Sequence, residues 1–475
     1  MPTYNYPFPK SPGYKKPTCV EDCLPQARIH AKKQHGRTAM GPVKKGDNIL
    51  LVTFPDQDKY AQEALIQALK EEGAAKVVFI TNDELAGRES EKTSVEEGWK
   101  ESERMESAPW KVAGGKTPSP ALKGLYNYLV QHPEFTTVLF GLGGRHHQKF
   151  NLRDQGHKFK NNYIFSNWEE FLSRSWLFPE ELTIEMERRI LDPIGQASEV
   201  RITDPEGTHL EYSLTAEQAV RWQRGAWMSG HLFMDPFQAT CEECSVVPVS
   251  TKVPPVFLNI NGVLAGTANH VGFFPRMEIY IERGRLEKVK GGGKYGEIIR
   301  ELVDKYKNIH WPGYPDKGIF WFCDSVVCTQ VKSFRRTSDM FDSYWHFPNA
   351  PERNRAGVFH HGFGSRMHGP EYQKYADEHK LPTGHIHVHN YFVTFEIKLR
   401  GTNTWYKIID KGRVSAMDDP ELRALAVKFG DPDDLLNYDW IPPLPGINCP
   451  GDYFQDYAPN PVAYLKLRKE ENQSI

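Results

Sequence analysis

The chain has 475 residues, of which 39% are hydrophobic and 25% charged, an ordinary globular composition with enough length to bury a core without disulfide or metal staples. Lys and Arg number 59 against 61 Asp and Glu, so the net charge is -2, which excludes a general basic footprint for nucleic acid or an anionic membrane. No run of about 18 apolar residues exists for a spanning helix, no signal peptide is expected from MPTYNYPFPKSPGYKK, and the seven sparse cysteines point to a reducing, cytoplasmic setting.

Residues 1–45 are rich in Pro, Lys and Tyr, show no period, and read as an extended N-terminal arm. Asn48–Phe54 (NILLVTF) and Lys76–Thr81 (KVVFIT) are apolar runs fit for buried strands. Between them, Lys59–Glu72 carries Ala61, Ala64, Leu65 and Leu69 at helical spacing. Strand, helix and strand at this length form a βαβ unit and imply a parallel sheet. Phe54-Pro55-Asp56 stands where a dinucleotide fold needs a glycine turn, and Gly141–His147 (GLGGRHH) reads as a glycine turn after the Thr137–Phe140 strand. Residues 85–120 read as a polar surface insertion and 166–195 as helical.

Near residue 195 the pattern becomes β-rich. Glu199–Ile202 and Leu210–Leu214 flank the turn Asp204-Pro205-Glu206-Gly207, and Met277–Ile281 and Leu286–Val289 flank Arg283-Gly284, so each pair predicts a hairpin. A helix is expected over Tyr295–Lys307 and another near 420–429, with a His-rich strand at 385–397 between them. The expected fold is an α/β N-terminal domain with a parallel sheet (46–195) and a β-rich α+β C-terminal metal-binding domain (196–475) with a Pro-rich tail, IPPLPG at 441–446.

The strongest chemical signal is Gly384–Phe395, GHIHVHNYFVTF, where His385, His387 and His389 alternate. On a strand, alternate residues share a face, at roughly 7 Å per pair, which suits imidazole ligands to one metal. His360 and His361 in GVFHHGFG (357–364) follow an apolar run and precede a glycine turn, a sensible place for another ligand; His368 and Tyr375 follow. Cys241 and Cys244 form a CxxC without a second pair at zinc-finger spacing, and the intervening Glu242 and Glu243 are better candidates as ligand or general base. Asp324, beside Cys323 and Cys328 at the end of an apolar run, is a further carboxylate candidate, whereas His146, His147 and His157 read as surface or a substrate-facing rim.

Several stretches, in order, resemble the M29 metallopeptidase family (aminopeptidases T and S), whose fold is shared with mononuclear iron enzymes of the 2,5-dihydroxypyridine dioxygenase type. They are VKKGDNILLVTF (43–54), SEVRITDPEGTHLEYSL (198–214), CEECSVVP (241–248), NGVLAG (261–266), IERGRLEKVKGG (281–292) and GVFHHGFG (357–364). The resemblance implies a metal-binding C-terminal domain and a homo-oligomer. The peptidases hold two divalent ions with two Glu, two His, one Asp and a Tyr; Glu243 matches the first Glu and His360 the first His. The family's His-x-Asp pair falls on His387-Val388-His389, or on His385-Ile386-His387 if the register slips, so a His replaces the Asp; Asp324 is the nearest candidate for the second Glu.

Two adjacent cations repel, and bridging carboxylates offset that repulsion where neutral imidazoles do not. The change therefore favours one metal. The leading expectation is a mononuclear non-haem iron(II) ring-cleaving dioxygenase acting on a small hydroxylated aromatic or N-heteroaromatic substrate. Its metal ligands would be His360, His387, His389 and Glu243, with Glu243, His361 and His385 as catalytic groups. The alternative is an M29-like aminopeptidase or amidohydrolase using Zn, Co or Mn, with Glu243 or Glu242 as base. Neither nucleic acid nor a membrane is an expected partner.

Overall fold

The computed structural model describes residues 5–34, 40–53, 57–89, 93–94, 120–140, 157–161, 168–224, 227–228, 231–234, 259–269, 272–310, 314–335, 342–343, 351–365, 380 and 384–470. Phe54-Pro55-Asp56, most of the 85–120 stretch, GLGGRHH, the segment holding Cys241, Glu242, Glu243 and Cys244, and both His368 and Tyr375 lie outside these residues.

The N-terminal part is built on a parallel sheet in the order Lys76–Thr81, Asn48–Thr53, Thr137–Phe140, Lys158–Asn161. The strand Asn48–Thr53 feeds two cores, because its side chains alternate between faces. Ile49 and Leu51 meet Ala61, Ala64, Leu65 and Ala68 of the helix Lys59–Glu71. Leu50 and Val52 meet Leu125 and Leu129 of the helix Pro120–Gln131. Asp58 starts the first of these helices by accepting from the backbone N–H groups of Tyr60 and Ala61.

The N-terminal arm is not wholly extended. Leu24–Lys32 is a helix, and its small residues Ala27 and Ala31 pack against the alanine stripe of Lys59–Glu71, a contact that a search for long apolar periods overlooks. Nor is 166–195 one helix: Trp168–Phe171 and Glu180–Ile194 are separated by the 3-10 turn Arg174–Trp176 and by Pro179. Leu182, Met186, Ile190 and Ile194 bury into the core of the β-rich part. No described helix is long and apolar enough to cross a membrane.

Among the described residues, that β-rich part carries a larger and a smaller antiparallel sheet, and Asp342–Ser343 pairs with Thr93–Ser94. The larger runs Arg285–Gly291, Phe273–Glu282, Asn261–Ala268, His209–Ser213, Ala197–Thr203, Thr394–Leu399, Trp405–Asp410, Arg413–Val414, and it contains both predicted hairpins. The smaller runs Gly384–Asn390, Phe359–Ser365, Phe322–Cys328, His231–Met234, Trp227–Met228. They meet through apolar side chains, with the rings of Phe359 and Phe395 edge to face at 5.3 Å. The predicted C-terminal helices are Gly293–Tyr306 and Pro420–Ala426. The Pro-rich segment is no loose tail: residues 440–445 are buried, and the backbones of Ile441 and Lys10 bond to each other at 2.9 and 3.1 Å.

Gly266 of the larger sheet packs against the Gly384–Asn390 strand. A Cβ there would stand 2.6 Å from Val388 Cγ1 and 3.3 Å from the carbonyl oxygen of His389. Gly266→Ala is therefore expected to cost about 1–3 kcal/mol by overpacking, measured by urea unfolding, because it presses on the strand that carries the histidines.

Candidate metal centre

Strand Phe359–Ser365 lies antiparallel to Gly384–Asn390 with His360 opposite His389, His361 opposite Val388, Gly362 opposite His387 and Gly364 opposite His385. Opposed residues share a face and neighbours along a strand do not. His360, His387 and His389 therefore meet on one face, and Gly362 leaves the middle strand bare beside His387. One nitrogen from each of the three lies within 4.8 Å of the others. His360 and His389 are buried and stack at 4.1 Å between ring centres; His387, partly exposed, stands 6.2 and 6.0 Å from them.

The structure orients His360 from outside the cluster. Its Nε2 lies 2.7 Å from the carbonyl oxygen of Arg353, on the 3-10 turn Pro351–Asn354, and 3.3 Å from Cys328 Sγ. A carbonyl only accepts, so Nε2 carries the proton and the lone pair is on Nδ1. Such an outer hydrogen bond sets the tautomer of a metal-ligating imidazole. Cys328 reaches this point because it extends the Phe322–Cys328 strand, where Val326 pairs with His360.

His361 is not brought to the imidazole cluster. The pleat sends it to the opposite face, where its ring stacks on Phe359 at 4.7 Å and stands 5.8 Å from Phe322, fully buried in the apolar core. His385 and Asp324 are placed by backbone register only: His385 opposite Gly364, and Asp324 opposite Gly362, at a position on the imidazole face. His157 is not on a rim; it is buried in the N-terminal part with Nδ1 2.5 Å from the carbonyl oxygen of Phe135. Glu243 and Glu242 lie outside the described residues.

The strand end beyond His389 is held by a buckle. Asn390 Nδ2 donates to the carbonyl oxygen of Ala265 at 2.7 Å, and Thr208 Oγ1 donates to the same oxygen at 2.8 Å. The peptide joining Tyr391 to Phe392 is gripped at both polar atoms: its N–H donates to Asp204 Oδ2 at 3.1 Å and its carbonyl accepts from Arg355 at 2.5 Å. Thus the turn Asp204-Pro205-Glu206-Gly207-Thr208 and the NGVLAG strand anchor the chain just beyond His389. Behind Asp204 stands Glu206, whose Oε1 accepts from Tyr453 at 2.7 Å and Thr267 at 2.9 Å.

No protein-family model matches the sequence, and no curated protein matches it. Among solved structures the chain is similar to 2,5-dihydroxypyridine dioxygenase from Pseudomonas putida KT2440, with a TM-score of 0.42 and 12% identity over 86% of this chain and 99% of that one. It is also similar to AmpT from Thermus thermophilus, with a TM-score of 0.40 and 15% identity over 83% of this chain and 99% of that one. Likeness at this level says nothing of chemistry, which rests on the imidazoles.

The donor set fits a metal ion. Three imidazole nitrogens converge, one with its tautomer set, and bonds of about 2.1 Å keep such ligands roughly 3–4 Å apart. Imidazole suits zinc, copper, iron and nickel alike. His360→Ala is expected to abolish metal binding, whereas His361→Phe keeps it and costs up to about 2 kcal/mol of stability; metal analysis of the two purified variants checks the contrast.

Burial raises the Glu206 carboxyl above the ordinary carboxylate range, and the Asp204 charge pushes it further; burial raises Asp204 as well. A carboxyl that holds its proton more tightly when folded adds stability at low pH and loses it as pH rises through the folded-state range. Glu206→Gln removes that dependence. Relative to wild type, the variant is expected to gain stability between about pH 5 and about pH 8.5, as read by urea unfolding at both values.

Proposed function

We propose that the chain is a mononuclear metal-dependent enzyme, with one ion held by His360, His387 and His389. The reaction proposed is ring cleavage of a small hydroxylated aromatic or N-heteroaromatic compound by dioxygen, with iron(II) as the metal. The observation that carries the metal reading is the convergence of the three imidazole nitrogens within 4.8 Å. Iron(II) with open positions supplies a centre at which substrate and dioxygen meet. The residues' own part is positional. Arg353 and Cys328 hold the His360 ring, and the bare backbone of Gly362 leaves room beside His387. Glu243 remains the proposed base or additional ligand, and His385 a proposed proton carrier.

One observation favours a second reading. Asp324 occupies a register position on the imidazole face, opposite Gly362. A carboxylate there would suit an amide hydrolase, in which a zinc, cobalt or manganese ion supplies Lewis-acid activation and Asp324 or Glu243 acts as base.

Anaerobic titration of metal-free protein with iron(II) separates the readings. The dioxygenase reading expects about one equivalent per chain, followed by oxygen uptake on catechols or hydroxypyridines. Two equivalents of zinc, cobalt or manganese, with cleavage of peptide or amide substrates, would overturn it. His387→Ala is expected to lose the ion and turnover with little loss of stability; unfolding on metal loss would instead mark a structural site.

A further inference from the structure

We propose that Arg335 is the seat for a carboxylate group of the substrate, a reading that rests on the imidazole centre being the place where substrate is handled. Arg335 is 2% exposed. Its Nε donates to Glu352 Oε1 at 3.3 Å, while Nη1 and Nη2 are buried with no partner at full hydrogen-bond geometry, the Tyr391 hydroxyl interacting with the guanidinium beside them. Aromatic rings cover the group: its Cζ lies 4.6 Å from the ring centre of Phe273, 4.8 Å from Trp440 and 5.6 Å from Tyr391. Rings take the face of a guanidinium, and its N–H bonds lie in the plane, so the unused donors form an edge.

Charge makes the same case. Arg355 is also fully buried; it donates to the Tyr391 carbonyl, and its Nε and Nη1 lack partners. Among the described residues, Glu352 is the carboxylate paired with this couple of guanidinium groups. Buried charge is tolerated where it is paired and hydrogen-bonded. An anion at the terminal edge of Arg335 would supply the missing charge and receive parallel N–H bonds. A carboxylate matches that fork in spacing and planarity.

The location ties this edge to the metal centre. Glu352 is the neighbour of Arg353, whose carbonyl orients His360. Tyr391, beside Arg335, follows His389 by two residues along the chain. The same turn and the same strand end therefore hold both groups. The ligand class is an acid bearing a planar carboxylate, recognised bidentately.

The test uses benzoate and its neutral isostere benzamide as probes, with binding to the metal-free full-length protein read by calorimetry. The expected result is benzoate bound roughly ten- to a hundredfold more tightly than benzamide. Arg335→Lys keeps the charge and loses the fork, and is expected to lose most of that preference. The double variant Arg335→Met, Glu352→Gln removes the ion pair as a unit and serves if the lysine variant does not fold. Equal binding of the two probes by wild type, or unchanged preference in the folded variant, overturns the proposal. The readout needs no metal. Failure of iron to bind with benzoate preference intact would sink the function proposed above and leave the Arg335 site standing.

Discussion

Everything at the imidazole cluster depends on one register, His360 opposite His389. Side chains on a strand alternate, so a slip of one residue would carry a whole set to the other face. The faces differ enough to prevent it. On one side Phe359, Phe363, Ile386 and Val388 are buried in the core shared with the larger sheet, and Gly266 leaves just enough room for Val388. On the other stand His360, His387 and His389. Apolar packing on the inner face thereby determines where the nitrogens stand on the outer one.

The second constraint is the gripped peptide between Tyr391 and Phe392. An acid, Asp204, takes its N–H and a base, Arg355, gives to its carbonyl. Both are fully buried, so both interactions act where water competes little. The acids Asp204 and Glu206 lie on the side of this corner that faces the Asp-Pro-Glu-Gly turn, and the arginines 335 and 355 on the side that faces the 3-10 turn bearing Glu352. The separation keeps Asp204 and Glu206 apart from Arg335, whose buried carboxylate partner is Glu352.

The motifs that resemble those of the M29 group take on a different meaning in three dimensions. DPEGT and NGVLAG fasten the strand that carries His387 and His389, through Thr208, Ala265 and Asn390. GVFHHGFG contributes His360 as a ligand candidate, while its second histidine lies on the opposite face against Phe359.

By itself the sequence determined the element types and the most telling local pattern. Apolar runs and helical spacing marked the βαβ unit and the hairpins, and three histidines at period two announced a shared face, because a strand's pleat is a property of the local chain. It did not decide which of His360 and His361 joins that face, since adjacent residues look equivalent until a partner strand assigns inside and outside. Nor did it expose the Arg335–Glu352 pair or the burial of Asp204 and Glu206. Charged residues far apart in sequence, or in a Pro-Gly turn, read as solvated, and only the closure of one sheet over the other removes the water that made that reading reasonable. Periodicity is local and survives in the sequence; proximity and desolvation are collective and belong to the tertiary structure alone.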